Sequence, residues 1–323
     1  MRALVTGGAG FIGSHLVDSL VEGGDEVLVL DDLSTGRREN LADALGRGAQ
    51  LRAADVTDPD AVRAGFRDLE PDRCFHLAAQ IDVRRAVADP RFDATVNVLG
   101  TINVLQAACE RRTPVVFAST GGAIYGEGAQ RRLPLDEGAE CVPEAPYGMS
   151  KLAGEGYVEL YRRMMGVPGV ALRLGNVYGP RQDPLGEAGV IAIFCGKLAD
   201  GGRPTVYGDG RQTRDYVYVA DVVRAFTLAA ERVMGDGESV PGSFNVGTGR
   251  ETSVLELVEL LSRVGGHADF APIDAPHRPG EIERISLDSA KAERELGWRA
   301  ETALEEGLRT TLEATPRSGA GAS

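Results

Sequence analysis

Tyr147-Gly-Met-Ser-Lys151 sets a phenol and an ammonium four residues apart, a spacing that makes the two side chains neighbours on one helix face. The chemistry open to such a pair is acid–base work on a hydroxyl. A phenol of pKa ~10 is a poor base at neutral pH, and lowering it by about three units takes roughly 4 kcal/mol. An adjacent ammonium and any further positive charge can supply that stabilisation. Only Lys151, Lys197 and Lys291 are lysines among the 35 basic residues, so a lysine at this spacing is not an effect of abundance. Arginine would replace poorly a compact ammonium that must also hydrogen-bond hydroxyls.

A second constellation lies at the N-terminus. Gly7, Gly10 and Gly13 follow a short apolar run at 3–6 and open a helical pattern, in the order G-x-x-G-x-x-G. Glycine lets backbone N–H groups approach a pyrophosphate at a helix N-terminus, where the helix dipole favours an anion. The loop alone is a weak signal in a chain with 42 glycines, and an ordinary strand–turn–helix joint stays open as its reading. Asp31, 18 residues beyond Gly13, ends the next apolar run, where a carboxylate can take adenosine ribose hydroxyls and repel a 2′-phosphate. That favours NAD over NADP, a preference moderated by Arg37 and Arg38. Asp55 and Val56, after the following strand, are placed to meet the adenine, although an exposed loop aspartate is an equal reading.

The elements that must carry these residues are strands at 3–6, 27–30, 74–78, 115–119 and 170–172, alternating with helices at 11–21, 97–111 and 147–165. Short apolar runs separated by helices predict an α/β fold, a doubly wound Rossmann-type parallel sheet covered on both faces. The second half has Gly/Pro-rich turns and helical patterns at 220–234, 253–264 and 289–296, which predicts a smaller α/β substrate domain. The expected division is 1–172 and 173–323, with a disordered tail at 315–323.

Composition bounds the rest. The 323 residues are 43% hydrophobic and 26% charged, an ordinary globular balance, with a net charge of −13. Surplus negative charge argues against a nucleic-acid or anionic-membrane partner. The opening residues reach glycine too soon for a signal-peptide core, and no stretch approaches the ~20 apolar residues of a membrane span. Cys74, Cys109, Cys141 and Cys195 form no CxxC pair, and the four histidines share no metal-ligand spacing. A cytoplasmic setting and no metal are expected.

TGGAGFIG, HLAAQ, ASTGGAIYG, YGMSK and LRLGNVYGPRQDP occur in that order. Together they make the chain resemble the extended short-chain dehydrogenase/reductase family. The resemblance is strongest to its NAD-dependent sugar-nucleotide epimerase/dehydratase branch and the UDP-hexose 4-epimerases within it. It runs from Met1 to about Leu312.

This resemblance implies a catalytic set of Thr120, Tyr147 and Lys151, with Thr120 on the sugar O4. Ser119 stands beside Thr120, and STGGAIYG is one residue longer than the SSSATVYG form of many epimerases, so the two hydroxyls could exchange roles. NAD contacts are implied for Phe11, Ile12, Asp32, Ser34, Thr35 and Gly36 near the loop. Leu77, Ala78, Ala79, Asn97 and Ser119 are implied on the nicotinamide side. For a UDP-sugar, Asn176 and Arg214 are implied on the diphosphate and Val190, Thr205, Val206 and Tyr207 around sugar and uracil. Arg278 and Glu281 are implied at ribose and phosphate.

The expected reaction is C4 epimerisation of a UDP-hexose, UDP-glucose or UDP-galactose, through a 4-keto intermediate. Related dehydratases carry Asp-Glu after the Thr and related decarboxylases a Glu, whereas Gly121, Gly122 and Ala123 stand here and cannot move protons. UDP-N-acetylhexosamine and UDP-glucuronate remain alternatives. Ile285, the residue nearest the sugar-size gate, is neither the large nor the small residue that would decide. Asp183 would repel a uronate unless Arg84, Arg85 or Arg181 answered it. Members of the fold that only sense NAD or bind RNA lose the catalytic set, which is intact here. A homodimer joined through the helices at 97–111 and 147–165 is implied as well.

Overall fold

The computed structural model describes residues 1–127, 131–184, 189–235, 242–267, 269–277 and 282–316. Its centre is a sheet of β1 (Arg2–Thr6), β2 (Glu26–Asp31), β3 (Gln50–Ala53), β4 (Arg73–His76), β5 (Val115–Thr120), β6 (Gly169–Leu174) and the strand Ser243–Val246. All pairings are parallel, in the order β3, β2, β1, β4, β5, β6, Ser243–Val246.

Alternation along each strand divides the core in two. Ala3, Val5, Val27, Val29, Phe75, Val116 and Leu172 face α1 (Phe11–Glu22) and the helix Val219–Met234. Leu4, Leu28, Leu30, Cys74, Phe117 and Ala171 face α2 (Pro59–Leu69), α3 (Gly100–Cys109) and α4 (Pro146–Met165). The strand centres, such as 3–5, 27–30 and 115–118, are apolar at successive positions because both faces are covered, which is the doubly wound arrangement. Strand order reverses between β1 and β4, and the crevice beyond their carboxyl ends is where such sheets hold ligands.

The expected strands and helices appear with ends moved by a few residues. The helix expected from 97 is preceded by a π-helical turn, Thr95–Leu99, before α3 begins. The strand Ser243–Val246 was not expected. Its four residues read SFNV, too short and too polar to stand out, yet they pair with β6 over Ala171–Leu174.

The second half also builds a separate core from Tyr178, Phe194, Leu198, Leu257, Leu261 and Leu308. Its strands are two or three residues long and paired as Asn176–Tyr178 with Tyr216–Tyr218, Thr205–Tyr207 with Ile273–Ala275, and Thr213–Arg214 with Thr252–Ser253. Buried carboxylates join these pieces. Asp215, 1% exposed, accepts from the Thr248 N–H and hydroxyl and from the Gly249 and Leu287 N–H groups at 2.6–3.0 Å. Asp221 accepts from the N–H groups of Glu301 and Thr302 and from Arg224.

Residues 317–323 of the expected tail lie outside the described residues. Among the described residues no helix is long and apolar enough to cross a membrane, and no three His, Cys, Asp or Glu side chains are grouped to hold a metal ion. The four cysteines are free thiols.

Candidate active site

The glycine loop closes the carboxyl end of β1 against the loop after β4. Gly7 has φ +70°, and a Cβ there would lie 2.5 Å from the Ala78 nitrogen. A Cβ on Gly13 would lie 2.2 Å from the Gly7 carbonyl oxygen, so the first turn of α1 can press on the loop only without a side chain. Gly10 differs: its missing Cβ meets only the Gly7 carbonyl, at 3.3 Å. It is the N-cap of α1 and offers no side chain to the N–H groups of Phe11 and Ile12. Open first-turn donors over a glycine surface are the donor set a pyrophosphate needs, so the loop fits a dinucleotide.

Asp31 is 6% exposed and anchors this loop. Its carboxylate accepts from the Ala9 N–H and the Leu33 N–H, both at 2.9 Å. Burial raises its pKa, while those two hydrogen bonds act the other way. Gly36 packs so tightly here that a Cβ would sit 2.8 Å from Asp31 Oδ1. Asp32 is exposed and holds the Ser34 N–H and hydroxyl, and Thr35 is exposed beside them. Asp55 is exposed and caps Thr57, whereas Val56 is buried against Gly100.

On the other wall, Leu77, Ala78 and Ala79 follow β4 half-buried, with the Leu77 N–H on the Thr6 carbonyl at 3.1 Å. His76 is buried between Thr6 (2.7 Å) and Thr101 (3.0 Å); burial, then the Lys151 charge, lowers its pKa to about 3, so its ring is neutral. Asn97, on the π turn, is 2% exposed. It receives the Gln80 N–H at 2.8 Å and donates to the Gln80 carbonyl, Asp93 and Ser150, clamping the loop after β4 to α4.

Pro146 at the first position and Gly166, φ +67°, past the last delimit α4, which carries Tyr147 and Lys151. The Tyr147 phenol lies next to the Thr120 hydroxyl at the end of β5. Burial raises the phenol above its ordinary value, Asp93 adds to the rise, and Thr120 opposes it. Lys151, 3% exposed, donates to the Ala118 carbonyl at 2.8 Å, with its Nζ 4.8 Å from the Phe117 ring centroid. Burial lowers its pKa to about 8 against the raising influence of Asp93 and Glu155. In the protein alone the phenol therefore stays protonated, and a phenolate needs the extra positive charge foreseen from the sequence.

Ser119 turns away from this pair. Its hydroxyl donates to Glu155, which pairs with Arg173 at 2.8 Å, and Arg173 in turn donates to Tyr125 at 2.8 Å. Gly122 has room, since a Cβ would lie 3.5 Å from Asn176 Oδ1 and 3.9 Å from Thr120 Oγ1. Asn176 therefore joins Thr120 at the site, and its Oδ1 is buried without a hydrogen-bond partner.

Asn176, Gln182, Val190 and Tyr216 line one small cleft beside the crevice. Thr205 and Tyr207 are half-buried, but Val206 is 2% exposed and packs in the second core. Arg214 donates to the Thr213 carbonyl at 2.8 Å. Arg278 and Glu281 lie outside the described residues. Ile285 is packed with Ile124, Tyr125, Leu135 and Leu287 and is 1% exposed, so it belongs to an apolar cluster in this structure. The sequence reading missed Asp93 and Glu155. Glu155 had a signal, since it continues the i, i+4 row from Tyr147 through Lys151.

The profile of the "NAD dependent epimerase/dehydratase family" matches residues 3–247. The UDP-glucose 4-epimerase of Mycolicibacterium smegmatis is 45% identical over 315 residues, covering 97% of this chain and 98% of its own. Two crystal structures superpose on the whole chain. A UDP-glucose 4-epimerase with UDP-glucose from Thermotoga maritima has a TM-score of 0.91 at 43% identity, covering 97% of this chain and 98% of its own. A Thermus thermophilus UDP-glucose 4-epimerase in complex with NAD has a TM-score of 0.88 at 42% identity, covering 98% and 99%.

Proposed function

The chain belongs to the NAD dependent epimerase/dehydratase family, and from that premise we propose that it inverts C4 of a UDP-hexose, interconverting UDP-glucose and UDP-galactose. The observation that carries this is the Tyr147 phenol lying next to Thr120 and one turn from the buried Lys151, followed by glycines where an eliminating enzyme needs acids.

NAD, when bound on the glycine loop, supplies the redox chemistry at C4 and a positive charge near the phenol. The chain's own part is the proton. Tyr147 takes it from the sugar O4 through Thr120 as the 4-keto sugar forms, and returns it as C4 is reduced on its other face. Lys151 stabilises the phenolate before the first of those events and after the second. Between them the hexosyl group must turn, so the grip belongs on the nucleotide, with Asn176 and Arg214 at the diphosphate, Thr205, Val206 and Tyr207 at the base and sugar, and Arg278 and Glu281 completing it. Residues 1–172 hold NAD and 173–323 hold most of the UDP-sugar, with Ser243–Val246 lent back to the first sheet.

Two arginines that a uronate would call on are engaged: Arg181 pairs with Asp18 at 2.7 Å, and Arg85 stacks 3.9 Å over the Phe92 ring. This favours a neutral hexose. Leu99 and Met149 are 52% and 59% exposed around α3 and α4, which supports a homodimer through that face. A reducing cytoplasm suits its four free thiols.

The test is turnover of UDP-glucose by the purified protein without added cofactor. Tyr147→Phe should lose 10²–10⁴-fold or more in kcat while keeping its NAD. Failure of a folded, NAD-loaded sample to convert UDP-glucose or UDP-galactose would sink the assignment.

A further inference from the structure

Asp93 is a buried carboxylate that the proton path does not use. It sits in the short helix Pro90–Ala94 and is 1% exposed. Its Oδ1 accepts from Gln80 Nε2 and Asn97 Nδ2, both at 3.1 Å, while its Oδ2 is buried with no hydrogen-bond partner. A carboxylate oxygen left bare in the interior is costly unless a positive charge lies close.

Lys151 is the buried charge that acts on it, from the helix packed against Pro90–Ala94 and without an ion pair of 4.0 Å or less between them. Its ammonium is buried, has one hydrogen bond, to the Ala118 carbonyl, and feels two acids, Asp93 and Glu155. Glu155 is already answered by the two-pronged Arg173. Asp93 has only amide donors, so its charge is the uncommitted one. The remaining groups around the pair are His76, which is neutral, and Tyr147 with its Thr120 partner. The π turn aligns Asn97 so that one amide group joins Asp93 to Ser150, the residue preceding Lys151.

We propose that Asp93 is the counter-ion of Lys151, a positioning residue that keeps the ammonium charged and seated on α4 through the Gln80–Asn97–Ser150 network. The proposal rests on Tyr147 and Lys151 being the acid–base pair. Burial lowers the Lys151 pKa, and Asp93, then Glu155, hold it up at about 8. Without the carboxylate the lysine becomes neutral nearer physiological pH and stabilises a phenolate less; the same loss removes a charge that raises the phenol, so the Lys151 midpoint is the direct readout.

Asp93→Asn removes the charge and little else, because its carbonyl can still accept from Gln80 and Asn97. With three lysines in the chain, ¹⁵N-lysine-labelled, NAD-loaded protein has three side-chain signals, and Lys197→Arg and Lys291→Arg identify that of Lys151. In Asp93→Asn the Lys151 midpoint should fall by about one pH unit or more, and the alkaline limb of kcat should move with it, a ~10-fold loss on that side. Asp93→Glu should restore both. An unchanged Lys151 midpoint in Asp93→Asn overturns the proposal, as does equal loss of activity in the Asn and Glu variants with no shift. The midpoint is read without substrate, so a wrong substrate assignment leaves this test standing.

Discussion

The nucleotide half and the sugar half position their functional groups by different means. Around the glycine loop the backbone does it: Gly7 and Gly13 permit approaches so close that a Cβ would lie 2.5 and 2.2 Å from a backbone atom, and regular strands set where those approaches fall. In the second half strands of two or three residues cannot set anything alone, and single buried acids such as Asp215 and Asp221 each gather several N–H groups from distant loops. The first strategy distributes its stability over a sheet. The second concentrates it in a few side chains, so one substitution should do more there to structure and less to chemistry.

The largest expected effect tests the chemical side of that contrast. Thr120→Val should cost about 10²-fold or more in kcat by removing the hydroxyl next to Tyr147, while Ser119→Ala, whose hydroxyl donates to Glu155, should leave kcat within a few-fold. Steady-state rates of the two variants decide it, and a reversed order would move the proton path to Ser119.

Next comes Asp215→Ala, which strands the Thr248, Gly249 and Leu287 N–H groups in the interior. It should cost about 3 kcal/mol or more in unfolding free energy, read by denaturant titration, whereas a surface acid would cost a fraction of that.

The smallest effect is that of the first unit of acidification. His76 is buried neutral with its folded pKa lowered to about 3 from 6.5, so the unfolded chain binds the extra proton and stability falls as pH drops from 6.5 toward 3. Asp215 acts in the opposite sense. Its folded pKa is raised, so its contribution improves as pH falls toward 3.8. The melting temperature should therefore decline below pH 6.5, and His76→Asn should flatten that decline where Asp215→Asn does not.

The same contrast explains what was legible beforehand. The sheet, the glycine loop and the Tyr147–Lys151 pair could be read because periodicity and spacing are local properties. Asp31 was read as a ribose ligand, and it also braces Ala9 and Leu33, a use that spacing does not reveal. Nothing local marks Asp93 or Asp215, since their partners lie on other elements, such as Gln80 for Asp93 and Leu287 for Asp215. Val206 and Ile285 show the reverse: adjacency in a motif does not tell which way a side chain points.

Ser243–Val246 covers the outer edge of β6, and that has a consequence during synthesis. Seventy-two residues separate Leu174 from Val246, and at about 5–20 residues per second they take several seconds to translate. For that interval the nascent sheet carries an open parallel edge, able to pair with another chain. The hazard ends when SFNV leaves the ribosome, so slow translation of the intervening segment should lower soluble yield before it alters the finished enzyme.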